Sequence, residues 1–207
     1  MKPGECVGCA EFPCLDVRHE RYVVSAIDVD PTSIAIVMVS EASPALLEDY
    51  YYAGAESLFA RTTVQAFNDA GAEVASIQDV LALGVYLTTA VKCGKIGYSI
   101  ETGTIRQCSL ILEQELALFP HVRVLMLMGD VAIKSLNYIA ARAGEPRVIP
   151  AGSTYKLRGA RYYFRNARVF PSYLQAGPSF FIEKSKRKMI AEDIAAALHE
   201  VTGGGKV

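Results

Sequence analysis

The 207-residue chain has no apolar run of about 18 residues, which is the length that a membrane-crossing helix needs. No basic segment followed by an apolar stretch precedes its first cysteine, as it would in a secretory signal. Internal repeats, low-complexity stretches and linkers are also missing, so we expect one domain over residues 1–207. These absences lead us to expect a cytoplasmic protein without a membrane partner.

Neither sign of charge is in excess. The chain has 21 Lys and Arg against 22 Asp and Glu, and its net charge of −1 neither requires nor excludes a nucleic-acid partner. Some basic residues cluster in the C-terminal quarter, where they form either a phosphate-binding face or a solvated surface. These residues are Arg158, Arg161, Arg165, Arg168, Lys184, Lys186, Arg187 and Lys188.

Cysteine is scarce, but four of the five cysteines form two pairs. Two residues separate Cys6 from Cys9, and fourteen separate Cys93 from Cys108. In a reducing compartment thiols act as ligands more often than they form disulfides. The pattern therefore predicts a metal or iron–sulfur site that ties the N-terminal segment 1–30 to the middle of the chain. Four thiolates suit structural zinc as well as a [4Fe–4S] cluster.

Short apolar runs alternate along the chain with segments of helical spacing. Four runs are predicted to be buried strands, at 34–39, 85–92, 122–128 and 167–170. Helices are predicted at 57–70, 76–83, 105–119, 130–143 and 182–201, with the glycines at 203–205 ending the last one. This alternation predicts a three-layer α/β/α fold with a central, mostly parallel four-stranded sheet.

The segments that follow the predicted strands are the candidates for chemistry, because parallel sheets bind ligands beyond the carboxyl ends of their strands. Glu41 follows the first strand, Cys93 the second, Gly129 the third and Ser172 the fourth. A carboxylate at such an edge can take part in acid–base chemistry or can cap a helix. Three consecutive tyrosines at 50–52 follow the first strand and form either a packing cluster or a stacking surface.

In this order the segments resemble the motifs of the iron–sulfur uracil-DNA glycosylases, within the uracil-DNA glycosylase superfamily. Those proteins combine an N-terminal CxxC, a strand ending in GEAPG, an aromatic residue before a small-Gly pair, a TN..KC strand, a further cysteine, LG and a late HPS loop. The corresponding segments here are 6–9 (CVGC), 39–44 (VSEASP), 52–54 (YAG), 87–93 (LTTAVKC), Cys108, 127–129 (LMG) and 170–172 (FPS). Each motif alone is weak, whereas the ordered series covers most of the chain.

The resemblance implies a uracil-DNA glycosylase-like fold and a [4Fe–4S] cluster held by the two cysteine pairs, with structural zinc as the alternative. It also implies DNA, damaged or single-stranded, as the partner of a monomer. The stretch 14–18 resembles the one that follows the second ligand in the family. Cys14 is therefore an alternative to Cys9 as a ligand.

The activity implied by the resemblance is hydrolysis of an N-glycosidic bond in base excision repair. Such a reaction gives the sugar oxocarbenium character and leaves an anionic base. In this scheme Glu41 stabilises the cation or orients water, and Tyr52 stacks on the flipped base. The segment 173–175 takes the place of the loop that wedges into the duplex. The residues that would bind the substrate are Ala42, Tyr52, Thr89, Phe170, Ser172 and Tyr173.

Two positions depart from the family. Thr89 stands where members have an Asn whose amide pairs with uracil, and a hydroxyl makes only part of that pattern. Phe170 stands where members have a His that stabilises the departing base, and losing such a donor reduces the rate by about 10²–10³. We therefore expect a DNA glycosylase for a base other than uracil. The alternatives are an inactive iron–sulfur relative that binds DNA or senses redox state, and an enzyme for free nucleosides.

Overall fold

A computed structural model describes residues 1–203, in which helices cover both faces of a six-stranded sheet. The strands are β1 (Val17–Arg18), β2 (Ile36–Ser43), β3 (Val85–Lys95), β4 (Val124–Met128), β5 (Tyr162–Phe164) and β6 (Ala167–Ser172). The helices are α1 (Pro3–Cys6), α2 (Leu58–Asp69), α3 (Ile77–Ala82), α4 (Thr102–Leu116), α5 (Asp130–Arg142), α6 (Thr154–Leu157), α7 (Ser179–Ile182) and α8 (Lys184–Gly203). Short 3-10 turns lie at His19–Arg21 and Leu47–Asp49.

The sheet has the strand order β1-β3-β2-β4-β6-β5. Its four central strands are parallel, and β1 and β5 pair antiparallel at the two edges. Parallel strands need crossover connections. Helices α2 and α3 connect β2 to β3, α4 connects β3 to β4, and α5 follows β4 on the way to β6. The predicted three-layer, mostly parallel α/β fold is confirmed, but the predicted number of four strands is wrong. The two edge strands are only two and three residues long, too short for an apolar pattern to show.

The two hydrophobic layers follow from the alternation of side chains along each strand. In β2, Val37 and Val39 pack in the layer formed with α4 and α5, whereas Ile36 and Met38 pack in the layer formed with α2, α3 and α8. Strands covered on both faces read as continuous apolar runs, which is why the sequence revealed them. None of the helices within residues 1–203 combines the length and apolarity that crossing a membrane requires.

The predicted helix boundaries agree with the structure to within a few residues. Ser57 and Ser76 each accept a hydrogen bond at the start of a helix, and Ser76 forms a reciprocal capping box with Asp79. The last helix, α8, runs to Gly203. The glycines predicted to end this helix also include Gly204 and Gly205, which lie outside the described residues.

The N-terminal segment 1–30 lies against the central part of the chain through backbone hydrogen bonds. The Gly4 N–H donates to the Ser25 carbonyl at 2.7 Å, and the Val23 N–H donates to the Lys92 carbonyl at 2.8 Å. A small apolar contact of this segment with Ile111 of α4 adds to these bonds. These protein contacts place the segment beside β3 and α4. The predicted tie through a metal group stays a prediction.

A completely buried ion pair joins β3 to α4. The Lys92 ammonium donates to the Glu115 carboxylate, to the Thr88 hydroxyl at 2.9 Å and to the Thr89 carbonyl at 2.5 Å. Glu115 also accepts from the Tyr86 hydroxyl at 2.8 Å and from the Thr88 hydroxyl at 3.0 Å. Burying two charges is unfavourable unless they are paired and their remaining donors and acceptors are satisfied. Here the two charges have that full set of partners.

We predict that Lys92→Met lowers the free energy of unfolding by about 3–5 kcal/mol, because it leaves the Glu115 carboxylate buried and unpaired. The double variant Lys92→Met/Glu115→Gln removes both charges but keeps an acceptor for the neighbouring hydroxyls, so it should recover most of that loss. Urea unfolding measures both variants. The control is Lys134→Met, which breaks an exposed pair with Asp130 and should change stability by less than about 1 kcal/mol. A double variant as unstable as Lys92→Met would contradict this account.

Candidate functional site

The carboxyl ends of the four parallel strands meet around Glu41. Glu41 lies in the last part of β2, Lys95 ends β3, Gly129 follows β4, and Tyr173 follows β6. The Lys95 ammonium donates to Glu41 Oε2 at 3.2 Å, and both side chains are partly exposed. The predicted carboxylate therefore lies at the predicted edge of the sheet, paired with a lysine that the motif series did not single out.

A cavity of about 220 Å³ opens beside Glu41. Its walls come from the start of α5, the loop after β6, and the region of α7 and α8. The Lys186 ammonium lies 5.5 Å from the centre of the Tyr173 ring at one side of this cavity. The lining therefore combines polar and apolar surface and carries charges of both signs. The lining residues are Glu41, Gly129, Asp130, Thr154, Tyr173, Leu174, Ser179, Glu183 and Lys186.

Gly129 allows the Glu41 side chain to approach the start of α5. Its φ of 105° is a conformation that residues with a side chain rarely adopt. A Cβ atom on Gly129 would lie only 2.6 Å from Glu41 Oε1. The Glu41 carboxylate thus sits at the N-terminus of a thirteen-residue helix, where the helix dipole favours a negative charge.

Thr89 is fully buried in β3, and its hydroxyl has no hydrogen-bond partner among the described residues. It pairs in register with Ser40 of β2, so both side chains belong to the same face of the sheet. The Ser40 hydroxyl bonds to the Tyr51 hydroxyl and donates to Gln175 Oε1 at 3.2 Å. Gln175 Nε2 in turn donates to the Tyr51 hydroxyl at 3.1 Å. The predicted substrate-binding threonine therefore lies next to a buried polar cluster but makes no side-chain hydrogen bond to it.

The sequence reasoning missed the three members of this cluster. Ser40 directly precedes Glu41, and that position was the available signal. Gln175 was expected in a loop that wedges into DNA, but its side chain is fully buried. Tyr51 was seen only as one of three tyrosines, and burial raises the pKa of its hydroxyl well above the usual value.

Tyr52, the predicted stacking residue, contacts a buried part of β3 that β1 does not reach. Its ring stacks on the Tyr86 ring at a centroid distance of 6.2 Å and an interplanar angle of 22°. Its hydroxyl accepts a hydrogen bond from the Leu87 N–H at 2.9 Å. Tyr51 and Tyr52 also line a second cavity, of about 310 Å³, together with residues of α2 and the start of α3. Tyr52 thus combines a structural contact with a place on a cavity wall.

The remaining predicted substrate-binding residues are buried away from the lining of the Glu41 cavity. Ala42 pairs with Val91 inside the sheet, and Phe170 packs in the layer with α2 and α8. The Ser172 hydroxyl donates to Asp193 at 2.5 Å, and that carboxylate is also held by Arg158. Of these predicted residues, the structure brings Tyr173 together with Glu41 at the cavity.

Much of the predicted basic face is engaged in ion pairs. Lys186 pairs with Glu183, and Arg187 pairs with Asp69. Arg158 lies between two carboxylates of α8, and Arg165 pairs with Glu113 and Glu145. These pairings leave less free positive charge on this surface than the sequence suggested.

Four of the five thiols are electrostatic neighbours, and the fifth is apart from them. Burial, followed by the nearby Cys108, Cys9 and Cys14 thiols, raises the pKa of Cys93 to about 12. Burial also raises the pKa of Cys108, again with contributions from Cys14 and Cys9. Cys6 is exposed at the end of α1. Of the N-terminal thiols, Cys9 and Cys14 are the two that contribute to the raised pKa of Cys93 and Cys108.

Local hydrogen bonds shape the surroundings of these thiols. The Phe12 N–H donates to Cys9 Sγ at 3.4 Å, and the Cys9 N–H donates to the Tyr22 hydroxyl at 3.1 Å. The Lys92 backbone N–H lowers the pKa of Cys108 and so offsets part of the effect of burial. Within residues 1–203, no three Cys, His, Asp or Glu side chains form a group that could hold a single metal ion. Thiolates that accept N–H hydrogen bonds are the ligand type of iron–sulfur clusters, but in the described residues these thiols are not gathered into a ligand group.

No protein-family model matches the chain. The chain is similar to the type-5 uracil-DNA glycosylase of Thermus thermophilus, with 31% identity over 101 residues. The match includes 48% of this chain and 45% of that protein, so it spans less than half of the relative's length. The similarity supports a place in the uracil-DNA glycosylase superfamily. The α/β fold agrees with that relationship.

We predict that Gly129→Ala destabilises the protein in two ways. The positive φ alone should lower the free energy of unfolding by about 1–3 kcal/mol. The new Cβ should also displace Glu41 from Lys95. Gly144→Ala is the control, because Gly144 has a φ of 72° and open space around it. Chemical unfolding should show a greater loss for Gly129→Ala, and the excess should shrink when Glu41→Ala is the parent, leaving the part due to the more strained backbone of Gly129. An excess of unchanged size in that parent would contradict the proposed contact.

Proposed function

We propose that the protein is an iron–sulfur DNA glycosylase that removes a damaged or deaminated base other than uracil in base excision repair. The observation that carries this proposal is the placement of Glu41 at the carboxyl edge of the parallel sheet, on a polar cavity shared with Gly129 and Tyr173. The ordered motifs and the similarity to a uracil-DNA glycosylase support it.

In the proposed reaction Glu41 acts on the sugar side of the bond. As the bond to the base breaks, positive charge develops on the sugar, and a carboxylate beside it stabilises that charge or orients the attacking water. Lys95 is paired with Glu41 in the free protein. DNA phosphates attract lysine side chains, so we infer that bound DNA draws Lys95 away and frees the carboxylate.

The base side of the site supports a substrate other than uracil. Thr89 offers a hydroxyl where an amide would be needed for uracil, and Phe170 offers no hydrogen bond at all. Thr89 pairs in register with Ser40, whose hydroxyl bonds to Tyr51 and Gln175. A base that enters this face must displace or rearrange that cluster. We therefore expect slow, selective excision rather than efficient removal of uracil.

We propose that Cys9, Cys14, Cys93 and Cys108 hold a [4Fe–4S] cluster. This set replaces Cys6, which the sequence pattern included, with Cys14. The supporting observations are the electrostatic proximity of these four thiols and the exposed position of Cys6. A cluster with four protein thiolates has a structural role here, and these residues would fasten the N-terminal segment to β3 and α4. Structural zinc is the alternative.

A second function is favoured by the closed state of the site. Glu41 is paired with Lys95, and the Ser40, Tyr51 and Gln175 side chains fill the face beside Thr89. A protein that keeps this fold and binds DNA, or senses redox state, without excising a base would have these features. The two functions differ in whether any base is released.

We predict that the purified protein releases a base from at least one oligonucleotide in a panel of deaminated and oxidised lesions. Glu41→Gln should lower the single-turnover rate by at least about 10²-fold, because the amide cannot supply the negative charge. DNA affinity, measured by fluorescence anisotropy, should change little. Glu73→Gln is the control, because Glu73 is an exposed carboxylate away from Glu41. Retained DNA binding without release of any base would favour the non-catalytic function.

We predict that Cys14→Ser and Cys6→Ser behave differently. Anaerobically purified Cys14→Ser should lose iron and the visible absorption of an iron–sulfur protein, whereas Cys6→Ser should keep both. The two variants are matched because both change one thiol of the N-terminal segment. Iron, sulfide and zinc analysis gives the measurement. The opposite result would restore Cys6 as the ligand, and stoichiometric zinc in the wild-type protein would replace the cluster with a zinc site.

A further inference from the structure

The most exposed apolar side chains of the protein include three that lie at one end of the sheet. Leu15 is 93% exposed, Ile96 is 57% exposed, and Tyr98 is fully exposed. Leu15 immediately precedes the β1 region, while Ile96 and Tyr98 lie in the loop after β3. We call these three residues the apolar tip. Soluble proteins rarely leave several large apolar side chains together in water unless the surface binds something.

The tip is held at its base by ordered structure. Val17 pairs with Lys95 in the antiparallel ladder of β1 and β3, so Leu15 and Ile96 leave the ladder at the same end. The Asp16 carboxylate accepts hydrogen bonds from the Glu101 N–H at 2.6 Å and from the Thr104 hydroxyl. Burial opposes ionisation of Asp16, but these bonds lower its pKa overall. The apolar side chains are thus presented by anchored segments.

The tip lies next to the candidate site. Lys95, which pairs with Glu41 at 3.2 Å, directly precedes Ile96. Consecutive Cα atoms are about 3.8 Å apart, so the Tyr98 Cα lies within about 11 Å of the Lys95 Cα. A strand of DNA that reaches Glu41 therefore passes within reach of the tip.

The loop that the family resemblance assigns to wedging into DNA does not project in this protein. Gln175 is fully buried, and Tyr173 and Leu174 are half-buried. We propose that the apolar tip takes that part instead, with Tyr98 stacking on a base and Ile96 or Leu15 entering the base step beside the target nucleotide. Inserted apolar side chains and stacked aromatic rings are established ways of holding unstacked DNA. This inference rests on the proposed DNA-binding function.

Size and charge favour DNA over a protein as the occupant. Even if each of the three side chains buried as much area as an aromatic residue, roughly 150–250 Å², the tip would bury less than the about 800 Å² per partner of a typical protein interface. A wedge between bases needs only one or two side chains. The loop 94–100 contains Lys95 and no acidic residue, and Lys95 would meet a phosphate once it leaves Glu41, whereas Asp16 and Glu101 flank the tip at its base.

The experiment uses the absence of tryptophan from the chain. Tyr98→Trp introduces a single fluorescent reporter at the tip. Tyr163→Trp is the matched control, because Tyr163 is 56% exposed on β5 at the opposite edge of the sheet. Duplexes that contain a mismatch or an abasic site are titrated, and anisotropy of a labelled strand reports binding. We expect quenching for Tyr98→Trp and none for Tyr163→Trp. Tyr98→Ala should weaken DNA binding by about tenfold.

The outcomes separate the inference from the proposed function. Saturating DNA binding without a change in Tyr98→Trp emission would overturn the tip's role and leave the DNA-binding function intact. Quenching at the tip without excision of any base would support the inference while the glycosylase activity fails. A wild-type protein that binds no DNA would overturn both. Self-association that buries Tyr98 in the absence of DNA, detected by sedimentation, would also overturn the DNA-binding role of the tip. It would identify a second copy of the chain as the partner.

Discussion

The buried Lys92–Glu115 pair is the interaction on which the arrangement of the candidate sites depends. It joins β3, which carries Cys93, to α4, which carries Cys108. The backbone carbonyl of the same lysine accepts a hydrogen bond from Val23, so the N-terminal segment is held at the same point. The desolvation of two charges is tolerated because each has several hydrogen-bond partners. One residue thus fixes the relative positions of the three chain segments that contain the thiols.

Strand β3 links the proposed functions because it carries one element of each. Thr89 faces the polar cluster, Cys93 lies beside the other thiols, Lys95 pairs with Glu41, and the apolar tip begins at the next residue. These positions lie within a few residues of each other, so a displacement of β3 affects all of them. If a metal group is bound between β3, α4 and the N-terminal segment, its role is to hold β3 in place. A metal group in that role does not need to contact the bond that is cleaved.

The sequence was sufficient for the features that local patterns specify. Apolar runs identify the four central strands, and the rule that ligands bind beyond the carboxyl ends of parallel strands identifies Glu41. Contacts between distant residues were not predictable, since no local pattern encodes them. Lys95 reaches Glu41 across 54 positions, and Gln175 reaches Ser40 across 135. The choice between Cys6 and Cys14 as a ligand is of the same kind, because spacing shows neighbours along the chain and not which thiols meet in the fold.

Whether the protein acts as a glycosylase or only binds DNA depends on whether a nucleotide of the bound DNA can reach Glu41. In the free protein Lys95 balances this carboxylate, but a partly exposed ion pair contributes only about 0–1 kcal/mol. A phosphate group of bound DNA can therefore replace Glu41 as the partner of Lys95 without a large loss of free energy. The polar cluster beside Thr89 is a stronger barrier, because each of its hydrogen bonds is buried and must be exchanged for one to the incoming base. In the proposed reaction, the cluster would select bases that can replace those bonds and would keep other bases away from Glu41.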